Sequence, residues 1–128
     1  MPKKILDLHI HSRYSRACSP DLDLPKIAVA CEQKGIDIVV TGDFTHPAWI
    51  RHIKENLEES FQGVYKLKSG GSPTRFILGT EISCIYKHKG ITRRVHLLIL
   101  APNIEAVEKF NAILEGKIPT AEEIELKK

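Results

Sequence analysis

Two histidines near the start of the chain, His9 and His11, are separated by a single isoleucine. The residues from Lys4 onwards predict a short strand that ends with this pair. Alternate residues of a strand point to the same face, so both imidazoles should share a face with Asp7. A His-x-His pair at a strand end can bind a divalent metal, because imidazole nitrogen suits zinc, iron and manganese. Two ordinary histidines on a half-exposed strand fit the same spacing equally well.

Four more candidate ligands are associated with later predicted strands. Asp43 follows the β-branched segment Ile36–Val40, and His46 comes three residues later. Glu81 lies towards the end of a third strand, and His96 lies near the middle of a fourth. Imidazoles and carboxylates together are the composition of a mixed nitrogen and oxygen metal cluster. Each residue also has an ordinary explanation. Asp43 can cap a helix and His46 can shape a turn. Glu81 can be a solvated carboxylate, and His96 can be a core histidine with its hydrogen bonds satisfied.

The elements that must position these residues begin with a βαβ unit. Asp23 can cap a helix whose first turn suits Pro25, and Gly35 can end that helix. The segment Ile36–Val40 then predicts a buried strand, parallel to the strand that carries the histidine pair. Ligands in parallel α/β folds collect at the carboxyl ends of the strands, which is where most of the candidate ligands fall.

The remaining elements follow from periodicity and turn residues. In chain order they are a helix at Ala48–Ser60, a hairpin-like region with Val64–Leu67 as one arm, strands at Arg75–Ser83 and Arg94–Leu100, and a helix at Ile104–Leu114 capped by Asn103. A capping-box pattern at Thr120–Glu123 allows one more short helix in the tail, residues 116–128.

Composition limits the class of protein. The 128 residues suffice for one modest domain, and the net charge of +3 permits a nucleic-acid or phosphate partner without requiring one. Three cysteines without a Cys-x-x-Cys pair suggest neither a disulfide framework nor a thiolate zinc site. The sequence has no signal-peptide pattern and no run long enough to span a membrane, so we expect a cytoplasmic protein.

Four motifs in order resemble the PHP (polymerase and histidinol phosphatase) family of metal-dependent phosphoesterases. They are His9-Ile10-His11-Ser12 with Ser15, Thr41-Gly42-Asp43, Gly79-Thr80-Glu81 and His96-Leu97-Leu98. Within the family the likeness is greatest to the endonuclease Q group, which nicks DNA 5′ to deaminated bases. That likeness is carried by Thr41–Pro47, Thr80–Ser83 with Tyr86-Lys87, and Thr92–His96, and the resemblance as a whole runs from about residue 5 to residue 114.

The resemblance implies an α/β fold, the N-terminal part of a distorted (β/α)7 TIM-like barrel, with residues 1–128 as a single domain. It implies two or three divalent ions, zinc, manganese or magnesium, at the strand ends. The implied ligands are His9, His11, Glu81 and His96, with Glu81 bridging two ions. Asp43 stands where most members have the histidine of a Thr-Asp-His motif; we favour it as the ligand there, with His46 as the alternative. Asp43 and Glu81 are accordingly the expected catalytic carboxylates.

Phosphate binding is expected from the arginines close to His96. Arg93 or Arg94 can contact a phosphate through two parallel hydrogen bonds. Alternation in a regular strand places the two on opposite faces, so at most one should point towards the metal ligands.

The later ligands of the family lie beyond the length of this chain, which resembles only the first half of a PHP domain. It is expected to be either a fragment or a short protein that completes its barrel by self-association or with a second half. Two functions follow. One is an endonuclease Q-like hydrolase acting on DNA that contains deaminated bases, with a small-molecule phosphatase as the nearest enzymatic variant. The other is a non-catalytic or incomplete module with a partial metal site, active only with a missing second half or partner chain.

Overall fold

The computed structural model of the chain describes residues 2–16 and 18–116, which form six strands and three helices. The strands are β1 (Leu6–Asp7), β2 (Ile38–Val40), β3 (Leu57–Phe61), β4 (Val64–Leu67), β5 (Arg75–His88) and β6 (Ile91–Ala101). The helices are α1 (Leu24–Lys34), α2 (Pro47–Asn56) and α3 (Ile104–Leu114). The expected mixed α/β class is confirmed. The predicted tail helix and its capping box at Thr120–Glu123 lie outside the described residues.

The strands form one sheet in the order β1-β2-β5-β4-β3, with β6 pairing along β5. The pairs β1–β2 and β2–β5 are parallel, and Val40 lies opposite Ile77 at the end of the second pair. The strands β3, β4 and β6 join by antiparallel pairing. The predicted βαβ unit is therefore confirmed, and it places the carboxyl end of β2 beside Ile77, four residues before Glu81 in β5.

Helix α1 has the caps that its sequence predicts. The side chain of Asp23 accepts a hydrogen bond from the backbone N–H of Lys26 at 2.9 Å, and Gly35 ends the helix in the left-handed conformation. These contacts satisfy backbone groups that a helix terminus leaves unpaired. The apolar stripe of α1 is buried against the sheet, which fixes the first crossover of the fold.

Two predicted elements are wrong in their extent. Helix α2 stops at Asn56, and Leu57–Phe61, which we expected to be helical as far as Ser60, is a strand paired with β4. The first strand covers only Leu6–Asp7, because the Asp7 carboxylate accepts a hydrogen bond from the backbone N–H of His9 and the chain leaves the sheet there.

The core lies between the helices and the sheet around fully buried aromatic side chains. Trp49, Phe44 and Phe76 have no exposed surface. The indole N–H of Trp49 donates to the carbonyl of Thr41 at 3.1 Å, which attaches α2 to the end of β2. The ring of Phe44 meets Phe110 edge to face, which attaches α3 to the same region. The loop after β2 is thus held on both sides by helices.

The C-terminal end of β5 and the N-terminal part of β6 form a two-stranded ribbon. We call this ribbon the hairpin arm and define it as residues 85–98. Every residue of the arm is exposed, on both faces. Its turn consists of Lys89 and Gly90, both with positive φ, which is the geometry of tight two-residue hairpins. Strand β6, which carries His96 near its middle, therefore pairs antiparallel to β5, so His96 does not come from the carboxyl end of a parallel strand.

None of the helices in the described part of the chain has the length and apolarity needed to cross a membrane.

Candidate metal centre

Three imidazoles surround the carboxylate of Glu81. His9 Nε2 lies 2.5 Å and His11 Nε2 lies 3.2 Å from Glu81 Oε2. His96 Nδ1 lies 2.6 Å from the other oxygen, Oε1. The two oxygens of one carboxylate therefore face two different sets of imidazoles. Such an arrangement would let one carboxylate contribute a donor atom to more than one cation.

Glu81 is positioned by close contact between β2 and β5. The hydroxyl of Thr41 accepts a hydrogen bond from the backbone N–H of Gly79 at 3.2 Å, two residues before Glu81. At Gly79 an added Cβ would lie 2.0 Å from a methyl group of Val40, so a larger residue would push the strands apart. Glycine at this position lets β5 carry Glu81 to the carboxyl end of β2.

The histidine pair reaches Glu81 from the loop after β1, and not from a strand. Strand β1 ends at Asp7, so neither histidine is part of it, and the ring centroids of His9 and His11 lie 5.4 Å apart with the rings inclined at 67°. Both nevertheless contact the same oxygen of Glu81. The two imidazoles lie close together, as the sequence predicts, but they project from a loop and not from one face of a strand.

Asp43 lies behind His11 as seen from Glu81. Asp43 Oδ2 accepts hydrogen bonds from the backbone N–H and hydroxyl of Ser12, at 2.7 and 2.6 Å. Its other oxygen lies 3.4 Å from His11 Nδ1. The turn that presents Asp43 has positive φ at both Gly42 and Asp43, and a Cβ at Gly42 would lie 2.4 Å from the carbonyl oxygen of Ile10.

Hydrogen bonds from the imidazoles, first His9 and then His96, lower the pKa of Glu81 below its ordinary value and outweigh the opposing effect of burial. Only 14% of the Glu81 side chain is exposed, against 54% for His9 and 56% for His96. The centre is thus an anionic carboxylate with imidazoles on its open side.

The donor atoms of His9, His11 and Glu81 lie within 4.8 Å of one another, and they form the one group of this kind found in residues 2–16 and 18–116. Two nitrogens and one carboxylate oxygen suit zinc, manganese and similar divalent ions. His96 approaches the second oxygen of Glu81 and stands beside this group. Asp43 lies outside it, in the position of a carboxylate that orients a ligating histidine.

His46 has a different role in the structure. Its Nδ1 accepts a hydrogen bond from the backbone N–H of Ala48 and caps α2. A neutral imidazole that accepts at Nδ1 carries its proton on Nε2 and has no lone pair left for a metal. The ring is stacked on Tyr14, with centroids 4.0 Å apart. As arranged, His46 forms the wall of the site and offers no ligand atom.

A cavity of about 460 Å³ opens in front of Glu81. It is lined by His11, Tyr14, Ser15, Asp43, Thr45, His46, Glu81, Ser83 and His96. Sequence reasoning assigned no site role to Ser12, which belongs to the motif that begins at His9, or to Tyr14, which lies between Ser12 and Ser15. Their function depends on long-range contacts to Asp43 and His46 that no local pattern reveals.

The two arginines fall on opposite faces of β6, as alternation predicts. Arg94 pairs with Ile85 and Arg93 with Tyr86. Directly paired residues share a face, and so do alternate residues along a strand. Arg94 therefore shares the face of Glu81 and His96, and Arg93 lies on the other.

The chain is similar in structure and in sequence to a part of endonuclease Q. The crystal structure of the lesion-specific endonuclease Q of Pyrococcus furiosus superposes with a TM-score of 0.69 and 28% identity over 86% of this chain. An endonuclease Q complex with a 27-mer duplex substrate, which has an abasic lesion at the active site, gives 0.66 and 33% over 83%. An uncharacterized protein of Methanocaldococcus jannaschii is 37% identical over 110 residues, 86% of this chain. No protein-family model matches the chain.

The chain spans only a part of each of these proteins. It covers 25% and 24% of the two endonuclease Q chains and 11% of the Methanocaldococcus protein. The similarity thus establishes a fold shared with one region of endonuclease Q. The activity of the whole enzyme does not follow from it.

Proposed function

We propose that this chain supplies a metal-binding region of a PHP-type phosphodiesterase that nicks DNA at deaminated bases, as the endonuclease Q group does. In this proposal the described residues belong to the N-terminal portion of a distorted (β/α)7 barrel, and residues 1–128 act as one domain. The observation that carries the proposal is the position of Glu81, with His9 and His11 at one carboxylate oxygen and His96 at the other.

The residues that would hold divalent ions are His9, His11 and Glu81, with His96 on the second oxygen of the carboxylate. Bound divalent ions lower the pKa of a coordinated water and neutralise charge on a phosphate. Glu81 contributes the anionic donor, and His11 is held in orientation through Nδ1 by Asp43. Asp43 is on this view a positioning residue, and the direct ligand role expected from the sequence is the alternative for it.

The substrate class is supported by comparison and by the cavity. One structural neighbour is named a lesion-specific endonuclease, and the other holds duplex DNA with an abasic lesion at its active site. The cavity next to Glu81 has Tyr14, stacked on His46, on its wall. An aromatic wall beside clustered ligands suits a nucleotide, since every base can stack on an aromatic ring.

The second candidate is an incomplete module that binds metal without turnover. The observation that favours it is the openness of the centre, where more than half of the His9 and His96 side chains is exposed. A catalytic site that excludes water usually encloses its ligands further. In this alternative a second half or partner chain completes the site.

A nicking assay separates the two candidates. Labelled duplexes containing uracil, hypoxanthine or an undamaged base are incubated with the chain and with zinc, manganese or magnesium. The proposal predicts a nick 5′ to the deaminated base, reduced at least about a hundredfold by Glu81→Gln and unchanged by His88→Gln. His88 is exposed at the end of β5 and takes no part in the centre.

Metal binding without a nick in any duplex would assign the chain to the incomplete module. Nicking that persists in Glu81→Gln would contradict the role of the bridging carboxylate.

A further inference from the structure

The hairpin arm, residues 85–98, carries four cations and no carboxylate. The cations are Lys87, Lys89, Arg93 and Arg94, and no Asp or Glu occurs between Glu81 and Glu105 in the sequence. All four side chains are exposed. The arm thus has a high density of positive charge, and it begins four residues beyond Glu81.

These cations have no ion-pair partner within residues 2–16 and 18–116. Elsewhere in that part of the chain several lysines are paired, as Lys54 is with Glu108, Lys66 with Glu58 and Lys109 with Glu105. Unpaired like charges on one ribbon repel each other and favour association with a polyanion. Nucleic acid is the polyanion that fits a linear array, because its phosphates are regularly spaced.

The register of β5 and β6 assigns each cation to a face. Lys87 pairs with Thr92, and Arg94 pairs with Ile85, so both continue the face that holds Glu81. Arg93 pairs with Tyr86 and lies on the opposite face. One face of the arm therefore runs without interruption from the candidate metal centre to two cations.

We propose that this face of the hairpin arm binds the phosphate backbone of the duplex that flanks the cleaved position, with Lys87 and Arg94 as the phosphate contacts. The inference rests on the proposed function and adds where the substrate lies. Lys87 is six residues beyond Glu81, which corresponds to roughly 20 Å along a strand. The same length covers about six base pairs of duplex.

A second copy of the chain fits the arm less well than DNA does. The arm exposes six large apolar or aromatic side chains that offer contacts to a protein: Ile85, Tyr86, Ile91, Val95, Leu97 and Leu98. Two identical arms would, however, bring together the same unpaired cations, and that repulsion opposes self-association through this surface. Charge complementarity thus favours a polyanionic partner.

The first test measures DNA affinity against salt concentration by fluorescence anisotropy, in EDTA so that metal binding does not contribute. The variants are Lys87→Gln and Arg94→Gln, and the matched control is Arg93→Gln, the adjacent arginine on the other face. Each lost phosphate contact should reduce the magnitude of the slope of log K against log salt by about 0.9. When salt is lowered from about 1 M to about 0.1 M, the wild type should therefore gain about eightfold more affinity than each single variant. Arg93→Gln should keep the wild-type slope.

A second test uses the length of the duplex. Shortening the flank on one side from about ten to about three base pairs should weaken binding by the wild type. The Lys87→Gln/Arg94→Gln double variant should lose little more on the same truncation, because it no longer contacts the removed phosphates. Truncation of the opposite flank should weaken both proteins equally.

Equal losses of DNA affinity in Arg93→Gln and Arg94→Gln would overturn the proposal that DNA binds one face of the arm. Unchanged salt slopes together with a shift in sedimentation would overturn DNA binding and assign the arm to protein association. Binding in EDTA reports on the arm alone, whereas nicking reports on the metal centre. A chain that nicks with unaltered slopes in the variants would therefore refute only the inference about the arm.

Discussion

Nδ1 of His11 lies 3.4 Å from a carboxylate oxygen of Asp43, while the other nitrogen of the same ring faces Glu81. The ring is therefore held between two carboxylates, of which one orients it and the other shares its candidate ligand role. The orienting carboxylate is itself fixed by two hydrogen bonds from Ser12. The affinity for metal should accordingly depend on residues that do not contact the ion.

Asp43→Asn should weaken metal binding by about 10- to 100-fold, because the amide no longer provides the carboxylate that orients His11. Competition with a chelator of known affinity measures the change, and elemental analysis gives the number of ions. An unaltered number of ions with weaker binding supports the orienting role. A loss of one whole ion per chain would instead make Asp43 a direct ligand, as the sequence suggested.

Replacing His9 and His11 together by alanine should remove most of the bound zinc or manganese, since both nitrogens lie beside the same oxygen of Glu81. Elemental analysis after chelation and reloading gives the metal content of the wild type and the variant. His88→Ala serves as the control, because it removes an exposed imidazole away from the centre. Equal metal in the double variant and the wild type would exclude this pair as ligands.

Gly42→Ala should destabilise the chain more than Gly70→Ala. Both glycines have similar positive φ, 66° and 70°, so alanine at either costs about 1–2 kcal/mol of conformational energy. Only at Gly42 would the new Cβ meet backbone, 2.4 Å from the carbonyl oxygen of Ile10, which should add about 1–3 kcal/mol. Urea denaturation of both variants gives the two free energies of unfolding. Equal values would show that the close approach is not required for the fold.

The free energy of unfolding should decrease as the pH falls, and His52 should contribute to that decrease. Burial lowers the pKa of His52 below its ordinary value of 6.5, and the nearby Arg13 guanidinium adds to this effect. Its Nε2 accepts a hydrogen bond from the backbone N–H of Leu24 at 3.1 Å, which a protonated ring cannot accept. Because the folded state binds the proton less readily than the unfolded state, the contribution is complete above the ordinary pKa. It is lost as the pH falls from there through the folded-state pKa.

His52→Gln tests this dependence, since glutamine can still accept a hydrogen bond but does not titrate. The free energy of unfolding, measured in EDTA at about pH 5 and about pH 7.5, should change less with pH in this variant than in the wild type. The control His88→Gln should retain the wild-type dependence. A wild-type pH dependence in His52→Gln would mean that other groups cause it.

Local sequence signals predicted the elements whose ends are determined locally. Asp23 and Gly35 mark the limits of α1 because caps act within a few residues. The strand Leu57–Phe61 was mistaken for helix, because its glutamates favour helix and are depleted in strands, and pairing with β4 overrides that local preference. Its partner strand is brought close by the fold, and no local pattern contains that information.

The candidate site was predictable as a set of residues but not as a set of contacts. His9, His11, Glu81 and His96 were all identified from residue type and position, and the structure brings them together. The contacts of Asp43 with Ser12, and of His46 with Ala48, depend on backbone geometry that residue type does not contain. Residue type alone left both open as ligands.

The contacts of Glu81 differ widely in sequence separation, with 15 residues to His96 and 72 to His9. A hairpin with a two-residue turn closes in microseconds, whereas parallel pairing between distant segments forms more slowly. During folding, His96 should therefore meet Glu81 well before β1 docks and brings in His9. The early hairpin carries one imidazole and one carboxylate, so a cation in the folding medium would first meet a weak two-donor chelator. Tight capture is expected to come last, when docking of the first strand completes the ligand set.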